Sequence, residues 1–353
     1  MSDQQSNRPR LVTVLEPSDE LTHEPDPVPN YNESMYLNAF DPEAEVGGWF
    51  RLGNRVNEGY AEMTVCTYLP GGRVGFMYGR PRIETNDAMD AGGLRIDVVE
   101  PFEHLRVTYD GTVCLLDEPG QMADPRTAFR DNPHVECRVD LDIRGASPMY
   151  GGRPVHEDGT EPELDAERSF AKAHYEQHTT STGTIQVGDE VLDIAGIGLR
   201  DKSWGPRYWQ ALSWYRWLPM SFGPDFAMMM SVIGDGEGGA RRSGMVLVDG
   251  EYHQIRHCEI DTDWDDRGYQ IAMRATAHTD HDTYEVEGDV ISLIPLRNRR
   301  TTPDGDELTT RITEAMTRYR CGDRRGIGMS EYLDQVVDGR PIGPDVEMPD
   351  PAR

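Results

Sequence analysis

From His134 to Ile143 the chain alternates without interruption. Val135, Cys137, Val139, Leu141 and Ile143 fall on one side; His134, Glu136, Arg138, Asp140 and Asp142 fall on the other. A period of two over such a run describes an antiparallel strand with one face buried and one solvated. The same style recurs along the chain. Strands are predicted over Ala61 to Leu69, Arg73 to Tyr78, Leu94 to Val98, His104 to Tyr109, Tyr175 to Val187, Val191 to Leu199, Ala211 to Met220, and onward to a closing strand near Tyr332. Pro70-Gly71-Gly72, Asp110-Gly111, Gly188-Asp189 and Asp249-Gly250 mark turns, because glycine and small acids tolerate the left-handed backbone that hairpins need. No long amphipathic helix interrupts the series. The fold class is all-β, with antiparallel sheets closed into barrels or sandwiches and not βαβ units. A barrel of this size can hold a lipophilic small molecule in its mouth.

The remaining segments divide the chain. Residues 1–30 are rich in proline, acid and polar groups and read as an extended N-terminal arm, with regular structure starting near Tyr31. The stretch 144–168 is rich in glycine, proline and acid and reads as a boundary, separating one domain at 31–165 from a second at 166–345. A short helix is expected near Asp165 to Lys172. Met1 to Arg10 is polar and does not resemble a signal peptide. No stretch approaches the roughly 20 apolar residues that span a membrane, so a soluble, cytoplasmic chain without membrane insertion is expected. The net charge of −28 argues against nucleic acid and anionic membrane surfaces as partners. Five widely spaced cysteines without a C-x-x-C read as free thiols in a reducing compartment.

Chemistry concentrates in Gly196-Ile197-Gly198-Leu199-Arg200-Asp201-Lys202-Ser203-Trp204-Gly205-Pro206-Arg207-Tyr208-Trp209. Gly-x-Gly alone suggests a dinucleotide loop, but Asp201 occupies the third glycine position and Pro206 prevents a following helix, so a Rossmann site is rejected. Serine-nucleophile, Cys–His, P-loop and zinc spacings are missing, and neither metal nor cofactor is predicted.

This run resembles the bacterial two-domain lipocalin-like group, which is similar to AttH-like and carotenoid 1,2-hydratase (hydroxyneurosporene synthase) proteins. Tyr175-Glu176-Gln177 and Gly183-Thr184-Ile185 before it add to the resemblance, as do Glu314 to Tyr319 and Gly326 to Tyr332 near the end. The resemblance implies two lipocalin-like antiparallel β-domains with a cavity in or between them. It implies a lipophilic ligand and chemistries such as hydration of isoprenoid double bonds or cyclisation. Lys202 stands where many relatives carry histidine.

The leading expectation is a cofactor-independent enzyme acting by acid–base chemistry on an isoprenoid, steroid or polyketide-like molecule: a hydratase or dehydratase, an isomerase or a cyclase. Asp201 is the expected proton donor, since a carboxyl beside indole can be desolvated and its pKa raised. Glu176 is the expected base or cation stabiliser. Tyr175, Gln177, Arg200, Trp204, Arg207, Trp214, Trp217 and Met229 are expected to bind or line the substrate, and Tyr78, Arg80 and Glu331 to supply polar groups at a cavity mouth. The structural alternative pairs Asp201 with Arg200 or Arg207, which would lower its pKa. His174, Glu176 and His178 share one strand face by alternation, and that face is expected to turn outward, to solvent or to the other domain. Met228, Met229 and Met230 pack a core or line a pocket. The competing function is a carrier of a lipid-like ligand, and a homodimer is compatible with either.

Overall fold

A computed structural model describes residues 10–166, 169–234, 236–302 and 304–343. The first sheet is built from β1 (Leu11–Val14), β2 (Tyr31–Asp41), β3 (Val46–Arg55), β4 (Tyr60–Tyr68), β5 (Val74–Gly79), β6 (Met89–Ala91), β7 (Leu94–Glu100), β8 (His104–Leu116), β9 (His134–Gly145), β10 (Tyr150–His156), β11 (Ala173–Val187) and β12 (Glu190–Pro206). The second is built from β13 (Trp214–Ser221), β14 (Phe226–Gly234), β15 (Ala240–Val248), β16 (Glu251–Trp264), β17 (Gln270–Thr279), β18 (Thr283–Thr301), β19 (Glu307–Cys321), β20 (Arg324–Val337) and β21 (Arg340–Pro341). All pairing is antiparallel, and the expected all-β class is what the chain adopts. No described helix is long and apolar enough to cross a membrane.

Both sheets close. In the first, β9 pairs with both β8 and β11, completing a ring through β12, β2, β3, β4 and β5. In the second, β13 to β20 follow one another in order and β13 pairs back onto β20, which removes every edge but the last hairpin. Each barrel is filled by its inward-facing side chains. Met35, Leu37, Phe50, Leu52, Val65, Val107 and Leu141 fill the first; Met220, Met228, Met230, Val246, Cys258 and Tyr332 fill the second. The two cavities described below lie between the barrels.

Three expectations are corrected. Asp110-Gly111 is not a hairpin, because β8 runs straight through it; a Cβ on Gly111 would sit 2.4 Å from the Tyr109 hydroxyl, so glycine is there to admit that ring. Regular structure does not wait for Tyr31, since β1 pairs with β10 and the turn Pro17–Glu20 follows it. The glycine-, proline- and acid-rich stretch after residue 144 contains β10, and β11 and β12 still hydrogen-bond within the first sheet; hydrogen bonding changes sheets between Pro206 and Trp214. The helix expected near Asp165 to Lys172 lies partly outside the described residues, and those described there are not helical.

Candidate functional site between the barrels

Register places one row of side chains across the outer wall of the first barrel. Glu176 pairs with Asp201, Asp201 with Tyr36, Tyr36 with Arg51, Arg51 with Thr64 and Thr64 with Tyr78. A second row crosses the facing wall of the other barrel: Ser243, Ser231, Trp217, Glu331 and Glu314. Side chains directly opposite on paired strands point to the same face, so two barrel walls confront each other with polar rows. The rows meet where Trp217 Nε1 donates to Glu176 Oε1 at 2.9 Å. The Tyr36 ring lies edge-on to Trp217, centroids 5.7 Å apart.

Between the rows is a cavity of about 370 Å³, walled by Tyr36, Trp217, Met229, Leu212 and Ile233 and carrying Glu176, Asp201, Glu314 and Glu331. A second bay of about 200 Å³ adjoins it, lined largely by Trp49, Phe76, Met122, Phe129, Leu296 and Ile312. Arg51, Trp209 and Glu314 border both.

The carboxyls are far from their ordinary state. Burial, reinforced by the charge of Asp201, pushes Glu176 up to about 7 despite His174 and the Trp217 hydrogen bond. Burial also raises Glu331 to about 7, against the hydrogen bond it accepts from the Tyr215 hydroxyl. Glu314 is raised well above the carboxylate range by burial and by Glu331 directly opposite it, and its Oε2 is buried without a hydrogen-bond partner among the described residues. Near neutral pH these groups carry protons at least part of the time, so they can donate as well as accept. Asp201 meets neither Arg200 nor Arg207. It faces His174, whose Nε2 lies 3.4 Å from Asp201 and 3.8 Å from Glu176. Burial lowers the His174 pKa, but Asp201 and Glu176 outweigh it and the net shift is upward. His174 is 46% exposed, so it connects the two carboxyls to solvent.

A family model described as a domain of unknown function, DUF7064, matches residues 16–336. The chain belongs to this family. No curated protein matches it significantly. Among solved structures, an AttH-like protein of Nitrosomonas europaea superposes with a TM-score of 0.60 at 12% identity, covering 91% of this chain and 96% of the other. Kievitone hydratase of Nectria haematococca superposes with a TM-score of 0.50 at 10% identity, covering 87% and 89%. At these identities the likeness is one of fold alone, a pair of lipocalin-like antiparallel β-domains.

In this DUF7064 chain the residues singled out from sequence separate onto two faces. Glu176, Asp201, Arg207, Trp217 and Met229 line the inter-barrel cavity. Tyr175, Gln177, Arg200 and Trp204 point the other way, to the inner side of the first barrel, where the N-terminal segment closes its end. There Arg200 is tied to Glu20 through both nitrogens of its fork and donates to Gln177 Oε1 at 3.0 Å. Tyr175 also reaches Glu20, and His23 stacks on Trp204 at 4.0 Å. Lys202 donates to Glu33 at 2.6 Å on that same side. These four residues are corrected to the barrel plug, because alternation along β11 and β12 sends neighbours to opposite faces. Trp214, three residues from Trp217, likewise faces away and packs on the second barrel's core. The methionine run splits in the same manner, with Met229 on the cavity and Met228 and Met230 inside the barrel. Tyr78 and Arg80 line the smaller bay and Glu331 the larger.

Tyr36, Arg51 and Glu314 were not expected in the site, whereas Tyr215 and Trp209, expected in an aromatic wall, line the cavity. A signal for Glu314 was present in the sequence. It stands in the apolar register of Ile312 and Met316, as Glu331 stands in that of Met329 and Leu333. An acid in a buried period-two position is costly and points to a site.

Proposed function

We propose that this chain is an acid–base enzyme that works without a cofactor on a lipophilic small molecule held between the two barrels. The observation that carries the reading is the set of buried carboxyls with raised pKa facing an apolar, aromatic-walled cavity. In this reading the two expected roles are exchanged. Glu176, held toward its protonated form, is the proton donor, and Asp201, linked to solvent by His174, is the base. For an alkene, the Glu176 proton adds to one carbon and the π electrons form the new C–H bond. The cation left on the other carbon faces Trp217 and Tyr36, whose rings stabilise positive charge. Water attacks the cation and gives up its proton to Asp201. Run backwards, the same groups dehydrate an alcohol; with an internal nucleophile they close a ring. Arg207 orients the substrate. The kievitone hydratase that shares the fold is named for hydration, which supports the first of these outcomes.

The test is incubation of the purified chain with a panel of isoprenoid, steroid and polyketide olefins and alcohols, followed by mass spectrometry for gain or loss of water and for isomers. E176Q and D201N are each expected to lower turnover by about 100-fold or more. A folded E176Q that turns over at the wild-type rate removes the assignment. A bound lipid that co-purifies and stays unchanged across the panel favours a carrier.

A further inference from the structure

The two bays join at Trp209, and two guanidiniums lie against its indole. Arg51 is 5.4 Å and Arg207 5.7 Å from the ring centroid. Arg207 is 6% exposed and stacks on Phe170 at 4.3 Å. Its Nε donates to the Phe170 carbonyl at 3.0 Å and its Nη2 to Ser203 Oγ at 2.6 Å. Both partners are neutral, and among the described residues no carboxylate forms an ion pair with it. Nη1 makes neither of these bonds, and Arg207 lines the cavity.

The surroundings do not balance this charge. Arg51 and Arg55 share Glu62, at 3.1 and 3.2 Å, and Arg55 also reaches Glu58 on the surface at 2.8 Å. Three guanidiniums thus crowd around one buried carboxylate. Burial, with the charges of Arg51 and Arg55, pulls Arg207 down to about 10, and the charges of Asp201 and Glu62 offset this only in part. A buried unpaired charge is expensive, and a planar guanidinium matches a carboxylate in shape and donors. Glu176, Glu314 and Glu331 are held toward their neutral forms and repel an incoming anion little; Asp201, the base of the proposed reaction, also lines the larger bay. Apolar and aromatic side chains make up much of the remaining walls, with Arg80, Arg297 and Arg299 on the smaller bay and Arg241, Ser231 and Ser243 on the larger.

We infer that Arg207 and Arg51 form an anion subsite where the bays meet, and that the substrate is an apolar acid: a hydrophobic body carrying one carboxylate. The carboxylate docks on the arginine pair, and the body lies along the apolar walls of the bays. The inference rests on the reading of the cavity as a substrate site, and it names the class of molecule that site takes.

The experiment compares binding of farnesoate and farnesol, which share one apolar body and differ in charge, to the full chain by tryptophan fluorescence and calorimetry. Farnesoate is expected to bind about tenfold tighter or more. R207Q is expected to remove that preference by weakening farnesoate about tenfold more than it weakens farnesol. R51Q, with thermal melting as a check on folding, decides the matter if R207Q is destabilised. Equal or tighter binding of farnesol, no binding of farnesoate, or a preference that survives in a folded variant overturns the subsite. Failure here is separable from failure of the acid–base reading. Lost turnover in E176Q without a carboxylate preference sinks the subsite alone, and a carboxylate preference with full turnover in E176Q sinks the acid–base roles alone.

Discussion

Glu176 sits opposite Asp201 and under Trp217, and that position makes its proton a thermodynamic variable. Its folded-state pKa of about 7 lies above the ordinary value of 4.5. Below the ordinary value, folded and unfolded chains both hold the proton. Between the two values the folded chain keeps it and the unfolded chain loses it, so stability falls as pH rises through 7. Urea unfolding of the wild type at pH 5 and pH 8 should therefore show a loss, and E176Q should lessen it by on the order of 1–3 kcal/mol. An unchanged pH dependence in E176Q would mean that Glu176 is not held protonated. Glu331 adds to the same slope, so some dependence should persist in E176Q. How legible these residues were in the sequence depended on contrast with their neighbours. Glu176 and Asp201 stood out beside aromatic and glycine-rich motifs. Tyr36 and Arg51 lie in stretches whose alternation holds no such contrast, and register across several strands is what brings them to the cavity.

Strands β11 and β12 each serve two purposes, one per face. Their outer face carries Glu176 and Asp201; their inner face carries Tyr175, Gln177, Arg200, Lys202 and Trp204 beneath the N-terminal segment. Arg200 and Lys202 flank Asp201 in sequence and anchor the strand to Glu20 and Glu33, all four almost fully buried. Gly198 lets β2 approach, since a Cβ there would come within 2.1 Å of the Asn38 carbonyl oxygen. The motif is conspicuous because one strand has to hold both a plug and a site. R200M leaves Glu20 charged and buried, and it should cost about 3–5 kcal/mol in urea unfolding. The double variant E20Q/R200M should cost less than R200M alone. Equal costs would mean that the pair is not what holds the segment down. The N-terminal segment was legible as extended, but nothing local in it said that Glu20 would be buried; its partner lies 180 residues away.

The barrels do not simply touch. One apolar cluster joins Tyr36, Phe40, Trp49, Tyr68 and Phe76 of the first to Ile294, Met316, Ile327 and Met329 of the second. Arg318 and Glu45 bridge the rim at 2.7 Å. A shared core of this kind couples the two halves, so they should unfold together. Far-UV circular dichroism and tryptophan fluorescence are expected to give one coincident transition. M316A, which empties a fully buried position in the joint, should lower the midpoint and cost about 2–5 kcal/mol of stability. Two separate transitions would show that each barrel stands alone. The same joint explains the location of the cavity. Each barrel's interior is already occupied by its own side chains, and the mismatch between two curved walls leaves room for a ligand.

Alternation and turn residues were enough to determine that this chain is all-β and antiparallel, because a period of two and left-handed turn positions are local properties of the backbone; barrel or sandwich stayed open until long-range pairing closed both sheets. Alternation also determined which residues of β11 and β12 share a face. Which face would meet the second barrel was decided only by the tertiary structure, since packing of one wall on another depends on the curvature and register of every strand between. That choice turned Glu176 and Asp201 onto a buried cavity, brought Glu314 and Glu331 opposite them from more than a hundred residues away, and sent Arg200 and Trp204 to the plug. The raised carboxyl pKa values follow from that burial, and burial is a property of the assembled molecule.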